Sequence, residues 1–150
     1  MHITFEILSF LLLPILLASG EMQWDCDYSQ AIHPGESYYF RNPNWPNNYP
    51  SGSSCRLKAT TAWASNKLEI KCNMDIPKDK KGCINHRIVV STYVDEVESP
   101  RSTQVYCGKK EFTKSIIQPQ KYSRIYAEFT SNGNKTGRFS CTLSNKGPQS

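Results

Sequence analysis

The residues with the most definite chemistry in this sequence are its six cysteines, Cys26, Cys55, Cys72, Cys83, Cys107 and Cys141. Thiols can hold a metal, attack as nucleophiles or oxidise in pairs. A structural zinc site needs closely spaced ligands. Neither a CxxC nor an HxxxH spacing occurs, and His33 and His86 stand alone. An even cysteine count in a short chain points instead to a disulfide framework in an oxidising compartment.

Other reactive patterns are weaker. A serine nucleophile needs a base beside it and an oxyanion hole, yet no GxSxG context surrounds any serine. His33 precedes Pro34-Gly35 and reads as a turn residue, and His86 reads as an ordinary exposed imidazole. The run Asp95-Glu96-Val97-Glu98 offers neighbouring carboxylates, but Ser99-Pro100 follows it, so it reads as a solvated loop. No glycine-rich phosphate loop is present. The sequence therefore predicts no enzyme, no cofactor and no nucleic-acid partner. Asn134-Lys135-Thr136 is the one usable glycosylation sequon, set in a turn between strand-like segments.

The ends of the chain say where this chemistry happens. Ile7–Ala18 is a short uncharged apolar run that ends in Ala18-Ser19-Gly20. Small residues after such a run mark a secretory signal, so residues 1–20 are expected to be removed after Gly20. The run is too short for a hydrocarbon core that takes about twenty residues to cross. A soluble, secreted mature protein is expected. Removal takes away one acid, Glu6, and no lysine or arginine, so the formal charge rises from +5 to +6. Such a charge can attract sulfated glycans or acidic partners. The basic residues are scattered, however. Lys78, Lys80 and Lys81 form the one tight group, with Asp79 inside it, and a solvated basic surface is the expectation.

The elements that must position these residues read as strands. In Lys67–Ile76, Leu68, Ile70, Cys72, Met74 and Ile76 share one parity and polar residues the other. Alternate residues of a strand face opposite sides, so this segment has a dry face and a wet face. Ser123–Thr130 and Gly137–Leu143 repeat the pattern. Weaker strands are expected at Ser37–Arg41, Ser54–Thr60, Arg87–Val94, Thr103–Cys107 and Lys114–Gln118, with turn-rich pieces between. No segment has a helical period. Many short strands separated by turns predict an antiparallel sandwich or barrel. Residues 144–150 read as a frayed tail or the start of a linker.

Six cysteines allow fifteen pairings, and spacing alone does not choose among them. Parity does part of the work. Cys72 and Cys141 lie on the apolar parity of their strands, so both should face the interior and are natural partners. The simplest division of the other four joins sequence neighbours, Cys26 with Cys55 and Cys83 with Cys107.

Several motifs, in this order, resemble CUB domains. Asn42–Pro50 (NPNWPNNYP) is similar to the family's S-P-x-Y-P-x-x-Y-P segment, and Cys55 follows where its second cysteine stands. Cys83 with Ile88–Val90 resembles the C-x-Y-D-x-L-x-V element, Val105–Gly108 (VYCG) its Y-C-G, and Phe129-Thr130-Ser131 with Gly137-Arg138-Phe139 its closing pair. The resemblance runs from Cys26 to about Leu143. It implies a disulfide-stabilised jelly-roll-like β-sandwich of about ten strands over residues 21–143. It also implies Cys26–Cys55 and Cys83–Cys107 bridges. The additional pair Cys72 and Cys141 looks like the variant in arthropod CUB domains, both those ahead of trypsin-like proteases and stand-alone venom proteins. Many CUB domains bind calcium through three acidic positions, which here align with Pro77, His86 and Asn132. Proline offers no side-chain ligand, and calcium prefers oxygen donors. No family-type calcium site is expected, although Asp75 and Asp79 lie nearby.

The function implied is that of a secreted, non-enzymatic single-CUB binding protein, a component of an arthropod venom or another gland secretion, with an extracellular protein or glycan as partner. Two alternatives follow from the same residues: the CUB part of a CUB-serine protease, and a basic heparin-binding module. Pro43, Pro46 and Pro50 stiffen the segment Arg41–Cys55, because proline fixes its own φ and biases the residue before it. Trp45 and Tyr49 are expected to cap the sandwich edge there. With Lys78, Lys80 and Lys81 they are the candidate surface contacts.

Overall fold

The structure is a computed structural model that describes residues 23–149. The signal segment and its cleavage point lie outside the described residues. Nine strands are present among these: β1 (Cys26–Ile32), β2 (Ser37–Arg41), β3 (Ser54–Thr61), β4 (Asn66–Ile76), β5 (His86–Val94), β6 (Ser102–Tyr106), β7 (Gly108–Ile116), β8 (Ser123–Ser131) and β9 (Arg138–Pro148). They form two sheets, ordered β1-β3-β8-β5-β6 and β2-β9-β4-β7. All pairings are antiparallel except that of β1 with β3, which is parallel. The fold is thus a disulfide-stabilised β-sandwich, with nine strands where about ten were expected.

Alternation builds the core. Along β4 every second residue from Asn66 to Ile76 is buried. Phe139 from β9 lies 5.2 Å from Phe40 of β2 and 4.7 Å from Phe129 of β8, ring centre to ring centre. These tilted contacts join the two sheets through aromatic rings, a favoured geometry for aromatic pairs. Cys72 and Cys141 face each other directly across the β4–β9 ladder and are bonded in the interior. The other bonds are Cys26–Cys55, between β1 and β3, and Cys83–Cys107.

Three segments differ from the sequence-based expectation. β1 was not anticipated, because it is an edge strand whose middle residues are exposed and carry no apolar alternation. The strand expected at Lys114–Gln118 instead runs from Gly108 to Ile116. It too is an edge, with only Ile116 fully buried, so hydropathy marked its last turn and missed its start. The expected frayed tail is also corrected: β9 continues through Pro148, where it pairs with Asn66. Buried Asn145 holds this extension. Its Nδ2 donates to the Ile32 carbonyl at 2.8 Å, and its Oδ1 accepts from Gly147 N at 2.8 Å. Gly147 has a φ of 75°, a conformation glycine adopts without steric cost.

Strand direction sorts the loops into two ends. At one end lie the connections 42–53, 77–85 and 132–137. At the other lie 33–36, 62–65, 95–101 and 117–122.

Candidate functional site

The loop 42–53 is organised by a buried asparagine. Asn42 is 3% exposed. Its Nδ2 donates to the carbonyls of Pro43 and Asn47, at 2.6 and 3.0 Å, and its Oδ1 accepts from Phe139 N at 2.8 Å. One side chain thus satisfies two carbonyls of the turn and one N–H of β9, and so ties the turn to the sheet. Further backbone bonds run from Trp45 N to the Asn42 carbonyl and from Asn47 N to the Asn44 carbonyl. The Trp45–Pro46 peptide is cis. Asn42 was not singled out from sequence. The one hint was its place at the head of a proline-rich run, where an Asx side chain commonly bonds the local backbone.

The far end of the loop is anchored by Tyr49, which is 1% exposed. Its ring lies 4.7 Å from Phe129, its backbone N donates to the Gly137 carbonyl at 2.8 Å, and its hydroxyl lies 2.8 Å from His86 Nδ1. Gly137 itself passes close to the end of β4, and glycine is required there. A Cβ there would collide with the Asp75 carbonyl and sit 2.9 Å from the Ile76 Cα. Tyr49 is therefore an interior cap and not a surface contact, which corrects that part of the expectation. The physical reason is pairing: a tyrosine can be buried fully when its hydroxyl finds a partner, and His86 supplies it.

His86 is corrected too. It is 2% exposed, not an ordinary surface imidazole. Burial is the main influence on its pKa and lowers it from the ordinary 6.5; Asp79 raises it and Lys135 lowers it by lesser amounts. Burial also pushes the Tyr49 phenol pKa upward. Both shifts favour the neutral forms at pH 7, for which the assignment that fits the contact has the Tyr49 O–H donating to Nδ1 with the imidazole proton on Nε2. A folded-state pKa below the unfolded one means that the unfolded chain binds more protons as pH falls under 6.5. The stability associated with neutral His86 is therefore complete above that pH and declines below it. The expected result is a falling urea midpoint between pH 7 and 5, with a shallower fall in His86→Gln, which keeps an acceptor for Tyr49. Parallel pH profiles for the two proteins would show that His86 plays no part.

Trp45, unlike Tyr49, faces outward and is 37% exposed. The Arg41 guanidinium lies 4.1 Å from the centre of the Tyr39 ring and 5.5 Å from that of Trp45, and Arg41 Nε donates to Ser140 Oγ at 3.0 Å. Cation–π contacts and this hydrogen bond hold the guanidinium against both rings. Trp45 separates two open clefts. One, of about 600 Å³, is lined by Tyr28, Tyr38, Tyr39, Arg41 and Asn44 along the flank of the sandwich. The other, of about 620 Å³, lies on the outer face of the four-stranded sheet with Lys71, Asp75, Lys109, Glu111 and Arg138.

The remaining candidates share this end of the molecule. Lys78, Lys80 and Lys81 are exposed on the loop 77–85. That loop turns about Asp79, whose carboxylate accepts from Asn85 N at 2.9 Å and from Asn85 Nδ2 at 3.3 Å. The Asn85 backbone bond is the main reason its pKa lies below the ordinary carboxylate value. Asn134 is exposed in the loop 132–137. Of the three positions aligned with family calcium ligands, Pro77 is half-buried, His86 is committed to Tyr49, and Asn132 is exposed with its backbone N donating to the Asn85 carbonyl at 2.7 Å. The structure brings the Trp45 loop, the lysine loop and the sequon loop together at one end.

Comparison with known proteins bears on the fold. No protein-family model matches the sequence, and neither does any curated protein. Solved structures do. The full extracellular region of zebrafish Gpr126/Adgrg6 matches with a TM-score of 0.59 at 18% identity, over 81% of this chain and 14% of that one. The CUB1-EGF-CUB2 domains of rat MASP-1 match with a TM-score of 0.54 at 14% identity, over 78% of this chain and 42% of that one. This chain thus spans less than half the length of either. At such identities the likeness is one of fold, and the fold is a CUB-like, disulfide-stabilised β-sandwich.

Proposed function

We propose that this chain is a secreted, non-enzymatic binding module that engages an extracellular protein through the corner centred on Trp45. The observation that carries the reading is the exposed Tyr39–Arg41–Trp45 shelf, formed by the end of β2 and a loop held in place by Asn42 and Tyr49. Tryptophan, tyrosine and arginine dominate interface hot spots; the two aromatics bury much area at little conformational cost, and the Arg41 guanidinium is already held by Ser140 and the two rings. A preformed shelf loses less freedom on binding than a mobile one. Three disulfides suit an oxidising extracellular setting. The CUB-like fold agrees with an interaction role. The most specific version, a stand-alone product of a gland such as an arthropod venom gland, rests on the likeness of the Cys72–Cys141 pair to the arthropod variant.

The test is capture of partners from the fluid into which the protein is released, comparing wild type with Trp45→Ala and Arg41→Ala. Each substitution is expected to weaken the captured complex by more than about tenfold, the range of hot-spot truncations. Thermal unfolding should change little, since both side chains are exposed. Equal capture by all three proteins would overturn the assignment of this corner.

A further inference from the structure

A third cavity lies on the outer face of the five-stranded sheet, toward the end opposite Trp45. Its floor is low where β1 presents the small side chains of Ser29 and Ala31 and β3 presents that of Thr60; Lys58 of β3 stands beside Ser29 in the ladder. The adjoining β8 presents large ones, since Lys58 pairs with Tyr126 and Thr60 with Arg124. The step from small to large leaves a hollow of about 600 Å³, within the range typical of small-ligand sites, roughly 300–1,000 Å³.

The wall is held in place. Asp95 N donates to the Tyr122 carbonyl at 2.8 Å, and Tyr122 N donates to Asp95 Oδ1 at 2.9 Å. Asp95 takes a φ of 54° to do so. It is half-buried, and so this part of the acidic run is not the solvated loop expected from sequence. Arg124 is fixed from three sides: Nη1 donates to Tyr126 Oη at 2.9 Å, Nη2 donates to the Val97 carbonyl at 2.8 Å, and the guanidinium lies 5.1 Å from the Tyr93 ring centre. Its Nε is buried without a partner.

The chemistry of the lining narrows the ligand. Lys58 and Arg124 bring two positive charges, and Asp95 and Glu96 two negative ones. Among the described residues none of the four is in an ion pair. An anion or a cation would leave the opposite pair of charges desolvated, and an apolar ligand would leave all four so. A polyhydroxylated ring avoids this. Each hydroxyl both donates and accepts, so it can serve carboxylate, ammonium and guanidinium together, while the apolar C–H face of the ring packs on Tyr122 or Tyr126.

We infer that this hollow is a binding site for a neutral saccharide, separate from the Trp45 corner. The test is saturation-transfer NMR against a panel of neutral hexose and N-acetylhexosamine mono- and disaccharides, with amide shifts recorded in parallel. Wild type is expected to show transfer to at least one sugar, with shifts confined to the facing parts of β1, β3 and β8 and to the segments around Asp95 and Tyr122. Ala31→Trp fills the floor from an exposed edge position and should weaken that binding by more than about tenfold. Glu96→Gln, a loop substitution with no packing role, should weaken it as well. Trp45→Ala should leave it intact, which separates this site from the proposed docking corner. The inference is overturned if no neutral sugar shows transfer. It is equally overturned if transfer persists in both Ala31→Trp and Glu96→Gln, or if only sulfated oligosaccharides bind and release them as screening grows at about 0.3 M salt.

Discussion

Replacing Tyr49 with alanine is expected to destabilise the fold by about 3–5 kcal/mol, the usual cost of truncating a buried aromatic to alanine. Three losses combine. The ring leaves a void beside Phe129, which sits 4.7 Å away. His86 loses its partner inside the protein. The loop 42–53 loses the anchor at its far end, although the Tyr49 N to Gly137 carbonyl bond can remain. Tyr49→Phe separates these effects. It keeps the ring and removes only the hydroxyl, so its cost should be about 1–3 kcal/mol, that of leaving a buried polar group unpaired. Urea unfolding at pH 7 measures both. If Tyr49→Phe proved as damaging as Tyr49→Ala, the ring would contribute nothing and the packing account would be wrong. A milder loss for Trp45→Ala than for Tyr49→Ala is part of the same expectation. Both aromatics were candidates for the same cap, and burial assigns that role to Tyr49.

The second large effect concerns the Cys72–Cys141 bond. It spans 69 residues, against 24 for Cys83–Cys107. On the chain-entropy view, closing the longer loop restricts the unfolded chain more, by about 4 kcal/mol against about 3. Cys72 and Cys141 are also both fully buried, so their replacement leaves space in the core. The double variant Cys72→Ala/Cys141→Ala is therefore expected to lose about 4 kcal/mol or more, and Cys83→Ala/Cys107→Ala less. That is a large share of a domain stability of about 5–15 kcal/mol. Urea midpoints for the two double variants decide the matter. The reverse order would mean that β4 and β9 hold their register without the covalent link.

Particular residues show what the sequence makes legible. β4, β8 and the first half of β9 were readable because each is covered on one face and carries strict alternation. β1 and β7 were not read correctly, since both are edge strands that are exposed along most of their length, β1 burying only Ile32 and β7 only Ile116. The end of β9 was hidden for another reason. What holds it is the Asn145 side chain bonding backbone groups, and hydropathy counts asparagine as a surface residue. At the candidate site, Trp45 and its proline-rich loop were evident from composition, but the scaffold was not. Gly137 and the buried Tyr49–His86 pair depend on contacts between residues far apart in sequence, which no local pattern reports, and so does the bond from Phe139 N to Asn42, whose other two bonds are local. The hollow beside Asp95 is of the same kind. It arises from a size difference between strands that only the register reveals.

The direction of β9 has a practical consequence. The strand starts at Arg138, beside the Trp45 loop, and ends at Pro148, beside the opposite loops. Eleven residues of extended chain cover about 35 Å. A protein immobilised by a tag fused after β9 would therefore stand with its Trp45 corner pointing away from the support. Attachment ahead of Cys26, where β1 begins beside the Trp45 loop, would turn that corner toward the matrix. Binding data from the two orientations should differ for a partner of the Trp45 corner. For a small sugar seated by Asp95 they should agree.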